Sequence, residues 1–224
     1  MHKLTWPKVS WAPGLFDLDN DTDLDLFFAN GHLNSVSGDN RQTNLLFEND
    51  GGGQFTDISE RSGVLSTGNR IHRSAIFADY DDDGRVDVFV TVNGQQVEDG
   101  QGNNIFDPNQ GRGILFHNET ESDNNWIKVR LEGTISNRDG FGATVSIKAG
   151  SIKHKQALIS GQGYFSAHAK EIYFGLGPVK SIDKIEVSWP SGMDQAFENI
   201  PANQTVYILE GETLYQNTSH LNVK

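Results

Sequence analysis

The chain has 224 residues, no Cys and a formal net charge of −12. That balance argues against nucleic acid or an anionic membrane surface as a partner, and the lack of Cys excludes disulfide staples. No apolar run approaches the length needed to insert into a membrane, and the N-terminal MHKLTWPKVSWAPG contains no signal-peptide core.

Two stretches are nearly the same sentence. Residues 17–25 read DLDNDTDLD and residues 79–87 read DYDDDGRVD. Both place Asp at relative positions 1, 3, 5 and 9: Asp17, Asp19, Asp21 and Asp25, then Asp79, Asp81, Asp83 and Asp87. Carboxylates this close repel one another unless a cation sits between them. Oxygen donors without Cys or His point to a hard cation, calcium before magnesium. An EF-hand is excluded, because its position 12 must be Glu, and here that position is Phe28 or Val90. The loops therefore close at position 9 and join two strands, with the backbone carbonyl of Asp23 or Arg85 at position 7 as a further ligand. Gly84 stands at position 6 of the second loop, where a sharp turn favours φ > 0. Thr22 stands there in the first, which predicts strain of about 1 kcal/mol or more and a weaker first site. Asp23 partly offsets this with an extra negative charge. One such turn reads as a solvated loop; two with identical spacing predict two structural Ca2+ sites.

The repeat continues past the loops. LFEN at 46–49 recurs as LFHN at 115–118, with a turn and a strand around 54–58 after the first copy. The offset between copies fits one four-stranded propeller blade with insertions. Residues 93–113 are polar and Gly-rich and predict a long loop. Beyond them, strands are predicted over 126–132, 142–149, 152–159, 171–175, 182–188 and 205–209. Several alternate polar and apolar, as in WIKVRLEG, which means one buried and one wet face, and so a small sandwich or barrel. No amphipathic helix of ten or more residues stands out, and the chain reads as all-β.

Charge divides the chain too. Residues 1–122 hold 20 acidic and 8 basic side chains, whereas residues 123–224 hold 10 of each. The expected organisation is a repeat unit over 1–122, a β-domain over 123–213 and a tail over 214–224. Trp126, Trp189, Tyr164, Phe165 and Phe141 read as core of the β-domain ahead of a sugar platform. Arg138 and Asp139 read as a turn-stabilising ion pair. His72, His117, His154 and His168 show no metal-ligand spacing, and no nucleophile elbow, Walker loop or dinucleotide fingerprint occurs.

LFDLDNDTDLDLFFANG and FADYDDDGRVDVFVTVNG, with NLLFENDGGGQFTDISERSGV between them, resemble FG-GAP/VCBS repeats, the blades of integrin-α-type β-propellers. NNWIKVRLEGTISNRDGFGATVSIKAG, GYFSAHAKEIYFGLGPVKSIDKIEVSWPSG and IPANQTVYILEG together resemble the ASPIC/UnbV domain. That domain follows such repeats in cartilage-acidic-protein-like and many bacterial secreted proteins. The resemblance implies about two blades of a calcium-stabilised partial propeller with a C-terminal β-sandwich-like domain. It places the chain outside the cytoplasm, extracellular or periplasmic or at the cell surface, as the C-terminal part of a larger secreted protein whose other blades pack against it. It implies adhesion or binding to an extracellular protein or glycan, with no enzymatic role. The alternative is a polysaccharide-acting hydrolase or a carbohydrate-binding accessory domain, for which Asp139, Glu171 and Asp194 are the spare carboxylates.

Overall fold

A computed structural model describes residues 8–33, 41–68, 70–94, 96–98, 101, 104–106, 111–213 and 216–217. The expected tail over 214–224 lies outside them except for 216–217. Among the described residues there is no helix; the protein is built from strands.

Strands β1 (Ser10–Phe16), β2 (Asp25–Asn30), β3 (Leu45–Asn49) and β4 (Phe55–Asp57) form an antiparallel meander in chain order. Strands β5 (Ile71–Ala78) and β6 (Asp87–Asn93) open a second sheet. A short hairpin of β7 (Gln96–Glu98) and β8 (Asn104–Phe106) follows, and β9 (Ile114–Phe116) returns to complete the sheet beside β6. That hairpin corrects the expectation of an irregular loop over 93–113, parts of which lie outside the described residues. Its strands are too short for an alternation of polar and apolar residues to announce them.

The two sheets share a core. Phe27 and Leu46 of the first meet Ala75, Phe77, Val88 and Val90 of the second. The Phe16 and Phe77 rings lie 5.0 Å apart, and Gly14 lets β1 pass so close to Phe77 that any Cβ there would collide with the ring. Each Val, Leu or Phe side chain buried this way contributes about 1.5–3 kcal/mol.

The remaining strands are β10 (Asn125–Glu132), β11 (Thr144–Ala149), β12 (Ile152–Ala157), β13 (Glu171–Gly177), β14 (Ser181–Ser188), β15 (Asp194–Pro201), β16 (Gln204–Leu209) and β17 (Gln216–Asn217). They form two four-stranded sheets, ordered β13-β10-β16-β17 and β12-β11-β14-β15. Ile127, Val129 and Phe174 of one face Val145, Ile147 and Ile185 of the other in a common core. All pairings are antiparallel except β10 with β16, which is parallel. Strand β15 is an addition to the predicted strands. Its mid-strand anchors, Phe197 and Ile200, are three residues apart, a spacing without strict alternation.

Two expectations about side chains fail. Trp189 is 4% exposed and joins the β-domain core with Phe141 packed against it, but Phe165 is 91% exposed and Tyr164 packs on Trp11 of β1. Arg138 and Asp139 do not pair with each other. Arg138 faces Glu132 at 3.6 Å, and Asp139 takes the Lys170 ammonium at 2.7 Å. Adjacent side chains at a turn diverge, and each finds a partner on a neighbouring segment.

Candidate metal centres

The two Asp-rich loops join β1 to β2 and β5 to β6, at the same place in their sheets. Most of their amide-to-carboxylate hydrogen bonds recur. The Leu18 amide donates to Asp25 at 2.8 Å, as Tyr80 does to Asp87 at 3.1 Å. The Asp21 and Thr22 amides donate to the two oxygens of Asp17, as Asp83 and Gly84 do to those of Asp79. The Asp23 and Arg85 amides donate to Asp21 and Asp83, each at 2.9 Å. The recurring LFEN and LFHN also gain a role. The Asn49 amide donates to Asp25 at 2.9 Å and the Asn118 amide to Asp87 at 2.8 Å, so the ends of β3 and β9 each grip the last Asp of their loop.

The backbones agree as well. Position 6 has φ 90° at Thr22 and 87° at Gly84; position 4 has φ 62° at Asn20 and 61° at Asp82. Asn and Asp tolerate this left-handed region, whereas β-branched Thr does not. The strain expected at Thr22 therefore has its backbone angle.

Asp17, Asp19 and Asp25 bring carboxylate oxygens within 4.8 Å of one another, and so do Asp79, Asp81 and Asp87. Asp21 sits outside the first cluster. Asp83 instead joins Asp81 and His117 in a third group. Asp23 keeps its Oδ1 buried with no hydrogen-bond partner among the described residues. The Arg85 side chain turns to the Asn118 carbonyl at 2.7 Å and to Asp83.

The first loop is electrostatically uneasy. Burial, reinforced by Asp21, Asp19 and Asp25, pushes the Asp17 carboxyl up to about 8. Burial likewise raises Asp25 to about 6 and moves Asp19 and Asp23 upward. An all-oxygen donor set, mutual repulsion and an orphaned buried oxygen at Asp23 fit a hard divalent cation.

Residues 17–90 match the FG-GAP-like repeat family, and residues 133–214 match the ASPIC and UnbV family. The chain carries an FG-GAP-like repeat and an ASPIC/UnbV domain. It is similar to cartilage acidic protein 1 of Mus musculus, 26% identical over 212 residues, which is 92% of this chain and 30% of the relative. The Homo sapiens protein of the same name is 26% identical over 197 residues, 87% of this chain and 27% of the relative. The chain thus spans less than a third of the length of these relatives.

Strands of the C-terminal β-domain close over both loops of the FG-GAP-like unit. Gly175 and Gly177, the two glycines of FGLG, meet the first loop. The Gly177 amide donates to the Asn20 carbonyl at 2.9 Å, and a Cβ on Gly175 would collide with the Asp17 carboxylate. Trp126 covers Gly84 of the second loop so tightly that a Cβ there is excluded. The loops also touch each other through Asn20 Nδ2, which donates to the Gly84 carbonyl at 3.1 Å.

Lys128 is the functional residue that sequence reasoning missed. Alternation in WIKVRLE points it to the wet face of β10, yet that face is covered by the second loop and Lys128 is 0% exposed. Its Nζ donates to Asp79 at 2.9 Å and to Asp82, with Glu171 3.8 Å away. Burial alone would lower the ammonium, but the bonds to Asp82 and Asp79 outweigh it and hold it above the usual lysine range. The Tyr173 hydroxyl accepts the Asp79 amide at 3.1 Å and donates to Glu171, which also binds Arg130. Beside this network a cleft of about 490 Å³ runs between the two units, lined by Leu15, Phe16, Phe77, Gln156, His168 and Tyr173.

Proposed function

We propose that this chain is a calcium-stabilised, extracellular, non-enzymatic binding module built from two blades of a partial propeller and a β-sandwich-like domain. The observation that carries the reading is the pair of loops with matching hydrogen bonds and backbone angles. Asp17, Asp19, Asp21 and Asp25 with the Asp23 carbonyl would hold one ion. Asp79, Asp81, Asp83 and Asp87 with the Arg85 carbonyl would hold the other. The cation supplies positive charge that cancels repulsion within each loop and stiffens the surface on which the ASPIC/UnbV strands rest. Extracellular placement is supported by the FG-GAP-like and ASPIC/UnbV matches and by relatives named for cartilage. No helix among the described residues is long and apolar enough to cross a membrane.

A binding role is favoured over glycan hydrolysis because two of the carboxylates considered for acid–base work are taken up by cations. Glu171 is held by Arg130, and Asp139 by Lys170. The partner in this reading is an extracellular protein or glycan, and the cleft beside Tyr173 is the surface offered to it.

Metal analysis after dialysis against millimolar calcium, with thermal unfolding in calcium and in EDTA, tests the reading. Bound calcium and a higher melting temperature are expected, since calcium a hundredfold above its Kd adds about 2.7 kcal/mol to the native state. Zero bound calcium and coincident melting curves would overturn it.

A further inference from the structure

The two loops share one backbone but differ in the charges around it. The first carries five carboxylates, Asp17, Asp19, Asp21, Asp23 and Asp25. Among the described residues no Lys, Arg or His nitrogen comes within 4.0 Å of any of them. His154, Lys155 and His168 share the cleft with Asp17 but form no ion pair with it.

The second loop is supplied with cations by the protein itself. Lys128 sits on Asp79 at 2.9 Å and on Asp82. Arg85 sits on Asp83, at the position that Asp23 occupies in the first loop. His117 Nε2 faces Asp81 at 3.1 Å, at the position of LFHN where LFEN has Glu48. Glu48 is turned instead to Arg61. Two differences between the copies, Arg85 for Asp23 and His117 for Glu48, thus make the second loop less negative than the first; Asp82 at the place of Asn20 acts the other way and is met by Lys128 from β10.

We infer that the loops are unequal calcium sites: the first takes its cation from solution, whereas in the second Lys128 and Arg85 already supply compensating charge, leaving a weak site that serves as an internal lock between the two units. This rests on the calcium reading above and reverses the order of affinity that Thr22 implies. Strain at one residue raises the energy of the loop with or without metal, so it discriminates little between the two states. A lysine ammonium against the position 1 carboxylate opposes the bound metal directly, through a contact buried on both sides.

Isothermal titration of the metal-stripped full chain with calcium chloride tests this, using wild type, Asp19→Asn, Asp81→Asn and Lys128→Met. Wild type is expected to show one tight event, at least about tenfold tighter than any second one. Asp19→Asn should remove the tight event and Asp81→Asn should leave it. Lys128→Met should strengthen the weak one. Should that variant fail to fold by near-ultraviolet circular dichroism, the two exchanges at position 3 decide, since they leave the core untouched. Two equal events in wild type, or a tight event lost in Asp81→Asn and kept in Asp19→Asn, would overturn the inference while the calcium reading stands. No bound calcium in wild type would overturn both.

Discussion

The Lys128 ammonium lies 2.9 Å from the Asp79 carboxylate, and neither side chain is exposed to solvent. The pair joins β10 of the C-terminal β-domain to the second loop of the FG-GAP-like unit. Removing one partner strands the other charge in a dry contact. Lys128→Met is therefore expected to lose about 3–5 kcal/mol in urea unfolding in EDTA. The double variant Lys128→Met/Asp79→Asn should recover part of that loss. Additive losses would show that the two groups do not sense each other.

Thr22 is a β-branched residue at φ 90°. Thr22→Gly should relieve this and stabilise the chain by about 1 kcal/mol, net of the entropy that Gly adds to the unfolded state. Equilibrium denaturation with and without calcium measures it. The gain should be similar in both conditions, because the strain belongs to the backbone and not to the metal.

Gly175 faces the Asp17 carboxylate with no room for a methyl group. Gly175→Ala must push the FGLG segment off the first loop, at about 1–3 kcal/mol. Gly192 has nothing within 4 Å of a Cβ, but its φ of 90° makes Gly192→Ala costly through the backbone alone. Reduced calcium affinity is thus expected for Gly175→Ala and not for Gly192→Ala, as titration of the two would show.

As pH falls, two groups weaken the native state, whereas Asp17 and Asp25, raised by burial, favour it. His72 is buried and unprotonated in the fold, with burial lowering it to about 4. The unfolded chain takes a proton that the native state refuses, so stability falls as pH drops from about 6.5 towards 4. Burial alone would raise Glu210, but hydrogen bonds from Ser191, Ser136 and the Ile135 amide outweigh it and hold the carboxyl at about 2. Its contribution is present above about 4.5 and is lost as pH falls towards 2. In Asp17→Asn/Asp25→Asn, which removes that opposing contribution, melting temperature against pH should show two successive losses. The first should be absent in His72→Gln and the second in Glu210→Gln, each at some loss of overall stability.

The Asp spacing makes both loops legible in the sequence, because chance seldom repeats four acidic residues at one spacing in one strand context. Position 6 is legible too, since Gly84 and Thr22 share one backbone angle. Alternation places Ile127, Val129 and Leu131 in the β-domain core, where they lie. The same alternation misplaces Lys128. It distinguishes the two faces of a strand but does not say whether the polar face meets water or a distant carboxylate, and Asp79 is far away in the chain. LFEN and LFHN are visible as a recurrence, yet their function is carried by backbone amides that nearly any residue possesses. Tyr164 and Phe165 do not join the core that their aromatic character suggests, because that character alone does not reveal which loop folds back on β1.

Strand β10 lies between β13 and β16, and its pairing with β16 is parallel, joining Ile127 to Gln204. Both neighbours are made later than β10 itself. During synthesis one long edge of this strand stays open until the chain beyond Leu209 has emerged, with Ile127 and Val129 uncovered on the face that joins the core. Parallel closure over so long a span is slow, and an open apolar edge is the usual start of misassembly. Closing β16 onto β10 should therefore be the slow step in the folding of this β-domain.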